Sequence, residues 1–205
     1  GFYSKDSLSP LRFLEIRQAI NYGFNRKKML KYLRNNIGTP AINGFIPKGM
    51  PSFNDSLVGF YYNPKLAQKL ISKAIELNNG PLDPIVLSTT SSYLDLCEYI
   101  QNELSNIGLN IEINVNPPSI HRQMVATSKL SFFRGSWIAD YPDAENYLSL
   151  FYSKNHSPLG PNYTHFENKE YDDLYVKSLL ESDDSLRFLY YNKMDKIIID
   201  NAQIV

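Results

Sequence analysis

IVLSTTSSYLDLCEYIQNELSNIGLNIEINV, residues 85–115, sets the architecture of this chain. Ile85 to Ser88 is a short apolar run of β character. From about Ser92 to Ile107 the spacing becomes helical, with Tyr93, Cys97, Ile100, Leu104 and Ile107 on one face, and Gly108 closes the helix. Ile111, Ile113 and Val115 then alternate with Glu112 and Asn114, the pattern of a strand with one buried face.

Downstream, Asn116-Pro117-Pro118 breaks the strand and a short helix is expected over Ser119–Ser128. The next segment, LSFFRGSWIADYPDAENY at residues 130–147, opens with strand formers and holds the only tryptophan, Trp137. It then turns to acids, a proline and aromatics, which reads as a strand ending at a polar rim before a helix start. Helices follow near Asn146–Tyr152, Asn168–Glu181 and Ser185–Asn201, with a loop around Ser157–Phe166. Upstream, Ser9-Pro10 starts a helix over Leu11–Tyr22, and Asn25 caps another reaching Leu33. Asn63-Pro64 starts a third, with the stripe Leu66, Ala67, Leu70, Ile71 and Ala74. Between them, Thr39–Phe60 is a long Pro- and Gly-rich connection of the kind that carries function or hugs a surface. The β-α-β-α-β order predicts an α/β fold, a small mixed sheet flanked by helices.

The chain has 205 residues, enough for one substantial core or two small ones, and 43 % apolar content argues against wholesale disorder. Its 21 basic and 21 acidic residues cancel, so no net field gathers nucleic acid. The run Arg26-Lys27-Lys28 reads as a solvated helix face. Cys97, the single cysteine, reads as packing and permits no internal disulfide. No apolar run approaches the roughly 18 residues that span a bilayer. The chain starts Gly-Phe-Tyr and stops on an apolar pair, Ile204-Val205, so both ends are expected to be cut points in a longer chain.

Enzymatic signatures are sparse: there is no G-x-S-x-G elbow, Walker loop, dinucleotide fingerprint or H-E-x-x-H. His121, His156 and His165 are far apart and read as exposed loop residues rather than a metal triad; no metal or other cofactor is expected. Asp143 and Glu145 fall in the first turn of a helix, where acids complement the N-terminal partial charge. Asp140 precedes Pro142 and is flanked by Trp137 and Tyr141, so it is either a helix cap or a carboxylate that receives an ammonium group beside aromatics. In an unbroken strand Arg134, Ser136, Ile138 and Asp140 share a face, with Arg134 and Asp140 about 20 Å apart. A cation and an anion so placed match an extended zwitterion; pairing of Arg134 with a neighbouring acid is the alternative.

Several segments, in order, resemble the C-terminal lobe of the dipeptide/oligopeptide/nickel-binding family of ABC-transporter solute-binding proteins. IRQAINYGFNRKKML (residues 16–30) resembles the family's R-x-A-hydrophobic-x-x-A-hydrophobic-D-R segment, and YYNPKLAQKLI (61–71) its Y-D-P helix. GTPAINGFIPKGM (38–50), LSNIGLNIEI (104–113), SWIADYPDAENYL (136–148) and NKEYDDL (168–174) complete the series. Asn25 and Asn63 stand where aspartate is common, a substitution that preserves capping, and Ala144 stands where proline is frequent.

The resemblance implies that residues 1–205 form a single ligand-binding lobe of a two-lobed, periplasmic-binding-protein-like receptor, one jaw of a clamp. Its ligand would be a short peptide or other small solute, delivered to an ABC permease. The receptor would be exported, in the periplasm or as a membrane-anchored lipoprotein, and monomeric. The W-x-A-D aspartate of peptide-binding members takes the ligand's α-amino group, which maps to Asp140, and the tryptophan maps to Trp137. Backbone at Ser136 and Ile138 would pair with the extended ligand. Arg134 stands where some members bind the ligand's C-terminus. A nickel complex, haem or oligosaccharide on the same scaffold is an alternative. So are an interaction domain presenting its 15 tyrosines and, more remotely, a hydrolase using Asp140 and Asp143.

Overall fold

The computed structural model describes residues 1–3 and 5–205. Three strands, β1 (Ile85–Thr89), β2 (Ile111–Val115) and β3 (Phe132–Phe133), form a sheet in the order β2-β1-β3. Both ladders are parallel: Ile85 faces Ile111 on one side of β1, and Leu87 faces Phe132 on the other. Among the described residues, the expected mixed character comes from an isolated antiparallel bridge between Phe2 and Phe132. The crossovers are α4 (Leu94–Ser105), entered through a 3-10 turn at Ser91–Tyr93, and α5 (Pro118–Ala126).

The caps read from sequence hold the helices in place. Asn25 Oδ1 accepts from Lys28 N at 3.0 Å to start α2 (Arg26–Leu33), and Asn63 Oδ1 accepts from Leu66 N at 3.1 Å to start α3 (Pro64–Leu77). Ser9 caps only a 3-10 turn, Pro10–Arg12; Phe13 is extended, and the α-helix proper, α1, runs Leu14–Gly23. One core forms where α1, α3 and α4 cover the sheet, with Ile16, Ile20, Ala67, Ile85, Leu87, Leu104 and Phe132 all buried. Cys97 belongs to it, as the packing reading expected.

A second core gathers α6 (Glu145–Leu148), α7 (Lys169–Leu180) and α8 (Asp184–Asp200) around Phe151, Tyr171, Met194 and Ile198. The connection 39–60 folds onto this core through Ile46, which is 2 % exposed. Its fastening is polar: Asp195, on α8 and 2 % exposed, accepts from Phe45 N at 2.7 Å and Ile46 N at 3.3 Å. Gly44 is required there, because a Cβ would lie 2.3 Å from Asp195 Oδ2. Burial raises the Asp195 carboxyl from its ordinary 3.8 to about 6, against the pull of those two backbone donors.

Two sequence expectations are corrected. Arg26 is not part of a solvated face: it is 8 % exposed, whereas Lys27 and Lys28 are exposed. The stretch after β3 is not a continuous strand, because its partner β1 ends at Thr89 and the last backbone bond to it runs from Arg134 N to Ser88 O at 2.9 Å. Residues 135–140 have no ladder to follow. The one-face, about 20 Å geometry for Arg134 and Asp140 therefore does not apply.

Candidate functional site

All three strands point their carboxyl ends toward one cavity of about 890 Å³. The segment after β1 contributes Thr90, Ser92 and Tyr93; that after β2 contributes Pro118, His121 and Arg122; that after β3 contributes Arg134, Gly135, Ser136 and Trp137. This is the crevice in which open α/β sheets bind ligands. The far wall comes from the 39–60 connection, through Ile42, Gly44, Phe45 and Phe60, and from Asn21 and Arg26 at the α1–α2 corner.

Arg134 is tied down by its backbone, not by its side chain. Its N–H completes the sheet, and its carbonyl accepts from Nε2 of His121 at 2.9 Å. The other ring nitrogen, Nδ1, is buried and has no hydrogen-bond partner among the described residues. The Arg134 guanidinium lies over the Tyr93 ring, 3.2 Å from its centroid. Among the described residues it has no acidic partner, so the pairing alternative weighed from sequence is not realised.

Trp137 is half-buried and donates from Nε1 to Asn146 Oδ1 at 2.7 Å. Asn146 is 5 % exposed on α6, so the indole is held by a rigid partner while its ring faces the cavity. Ser136 is exposed in the same wall. The cavity therefore brings together Arg134, Ser136 and Trp137 of the residues expected from sequence.

The other three lie outside its lining. Ile138 is 87 % exposed, Asp140 is exposed with no side-chain hydrogen bond or ion pair among the described residues, and Tyr141 donates to a Glu145 carboxylate oxygen. Asp140 is not a helix cap. The cap position of α6 is Ala144, without a side-chain cap bond; just before it Asp143 Oδ1 accepts from Glu145 N at 2.8 Å. Glu145 itself takes the hydroxyls of Tyr141 and Tyr175; that bond raises the Tyr141 phenol, and burial followed by the bond raises that of Tyr175.

The histidines depart from the exposed-loop reading. His121 is 6 % exposed in the cavity wall, and His156 and His165 stack with centroids 4.5 Å apart. His165 reaches the Ser128 and Ser157 hydroxyls at 3.1 and 3.0 Å, and burial lowers its pKa. Among the described residues no cluster of His, Cys, Asp or Glu could hold a metal.

Sequence reasoning missed Arg26. Its Nη1 donates to Asn21 O at 2.8 Å and its Nη2 to Asn21 Oδ1 at 2.6 Å, and its carbon lies 4.4 Å from the Phe24 ring centroid. Burial lowers its pKa to about 10. The available signal was Asn21, an amide on the otherwise apolar face of α1.

The family model for bacterial extracellular solute-binding proteins, family 5 (middle region), matches residues 7–158. The chain is 25 % identical over 204 residues to the oligopeptide-binding protein OppA of Bacillus subtilis (strain 168), covering 95 % of this chain but 37 % of that protein. Its fold matches the DppA periplasmic binding protein of Helicobacter pylori, solved in complex with the peptide STSA, with a TM-score of 0.88 at 23 % identity. That match covers 98 % of this chain and 39 % of DppA. A crystal structure of a peptide-binding protein of a peptide ABC transporter matches over 100 % of this chain and 94 % of that one, with a TM-score of 0.85 at 22 % identity. With the family model spanning most of its length, including β1–β3 and the cavity wall they end on, this chain belongs to the bacterial extracellular solute-binding proteins of family 5.

Proposed function

We propose that this chain is the solute-gripping lobe of a two-lobed receptor that carries short peptides to an ABC permease outside the cytoplasmic membrane. The observation that carries the reading is the cavity at the carboxyl ends of β1, β2 and β3, walled by Arg134, Ser136 and Trp137. Family membership supports it, and the chain spans 37 % of the OppA relative, as one lobe of a larger clamp would. Family members are binding proteins, and no catalytic role is assigned to any residue here.

Backbone from Gly135 to Ala139 is in no strand and is free to pair with an extended ligand, so main-chain bonding gives affinity with little dependence on ligand sequence. Asp140, exposed and without a side-chain partner among the described residues, follows Trp137 and receives the ligand's α-ammonium as the second lobe closes.

The test compares a short peptide with its N-acetylated form by calorimetry on the two-lobed receptor. A charge-assisted contact of about 1.5–3 kcal/mol predicts that acetylation weakens binding roughly 10- to 100-fold, and that Asp140→Ala removes most of this difference. Equal binding of both forms by the unaltered receptor would sink the role of Asp140. Failure of every peptide to bind, with another solute co-purifying, would point to the non-peptide alternative.

A further inference from the structure

Among the described residues the cavity is lined by three arginines, Arg26, Arg122 and Arg134, and by no aspartate or glutamate. Such a wall is set for anions, and Arg26 is its buried member. Buried cations in folded proteins are paired. Among the described residues Arg26 has no carboxylate within ion-pair distance, and its side-chain hydrogen bonds both go to neutral oxygens of Asn21.

Its geometry is fixed in advance. Asn21, 1 % exposed, donates from Nδ2 to Arg17 O at 3.0 Å and Ile204 O at 2.8 Å, which turns Oδ1 toward Arg26. The Phe24 ring covers one face of the guanidinium. Two N–H groups are used in this way, which leaves the remaining donors of the fork at the cavity wall without an acceptor among the described residues.

We propose that Arg26, held by Asn21, is a receptor for a second oxyanion on the solute, in addition to the terminal carboxylate assigned to Arg134. This rests on the receptor reading and narrows it: the preferred solutes carry an anionic side chain, either a carboxylate or a phosphate. A guanidinium fork matches both groups, and the desolvated setting strengthens the contact.

Calorimetry on the two-lobed receptor with Ala-Glu-Ala, Ala-phosphoserine-Ala and Ala-Gln-Ala tests the assignment. At least one anionic peptide should bind about tenfold tighter than the glutamine peptide, and which one does so identifies the group. In Arg26→Gln the preference for the anionic peptide over Ala-Gln-Ala should fall to within about twofold; Arg26→Lys should retain part of it as a point charge. If Arg26→Gln does not fold, Asn21→Asp replaces it, because a carboxylate set against the guanidinium should also abolish the preference. Equal affinity for all three peptides, as an acid from the facing lobe would produce, overturns the proposal. So does a preference that survives both Arg26→Gln and Asn21→Asp. In either case the peptide-receptor reading stands. If none of the three binds, that reading fails and takes this one with it.

Discussion

Asp195→Ala is expected to destabilise the chain by about 3 kcal/mol when unfolding is followed in urea at pH 5. The carboxyl group accepts from two backbone N–H groups, of Phe45 and Ile46, in a place from which water is excluded. Alanine leaves both donors unmatched, at about 1–3 kcal/mol each. The same change releases the wall segment that carries Gly44 and Phe45, so solute affinity should fall together with stability. Because Gly44 has no room for a Cβ against this carboxylate, Gly44→Ala should produce a milder version of the same defect.

The pH dependence has a definite sign. Burial raises the Asp195 pKa from 3.8 to about 6, so the folded state favours the protonated form. Its stabilising contribution is fully present below pH 3.8 and is lost as pH rises through about 6. Asp195→Asn cannot titrate. The stability of the unaltered chain minus that of Asp195→Asn should therefore decline between pH 4 and pH 7, with a slope up to about 1.4 kcal/mol per pH unit. Parallel stability profiles would contradict the placement of this carboxyl.

Arg134→Ala is expected to weaken binding of a peptide with a free C-terminus by roughly 10- to 100-fold on the two-lobed receptor, with little loss of stability. The structural bonds at this position run through the backbone, to Ser88 O and from His121 Nε2, and alanine keeps both. What is lost is a guanidinium 3.2 Å from the Tyr93 ring centroid, with no acidic partner among the described residues. Amidating the peptide's C-terminus should cost the unaltered receptor a similar factor and cost Arg134→Ala almost nothing. Additive losses from the two changes would show that Arg134 does not meet that carboxylate.

Where local periodicity decides the structure, the sequence was readable. The change from a short β-like run to helical spacing and then to alternation marks β1, α4 and β2 in place, and Asn25 and Asn63 cap the helices assigned to them. The cavity wall from Arg134 to Trp137 was legible because strand formers give way there to polar and aromatic residues. What stayed hidden depends on contacts distant in sequence. The paired length of β3 is set by where β1 ends, more than 40 residues earlier, so the segment from Gly135 to Asp140 could not be identified as unpaired backbone. Arg26 looked like one charge in a basic run, and its burial comes from Asn21 and Phe24 folding back over it. Asp195 resembled any acid on a helix with charges on several faces; only the return of Phe45 and Ile46 onto α8 gives it a role.

The most direct test of the account is a crystal structure of the two-lobed receptor grown with a short peptide. The prediction is a peptide in extended form along residues 135–139, with its C-terminal carboxylate at Arg134 and its side chains between Trp137 and Tyr93. A peptide bound away from the carboxyl ends of β1, β2 and β3, for example in the hollow between Tyr141 and Tyr191, would contradict it.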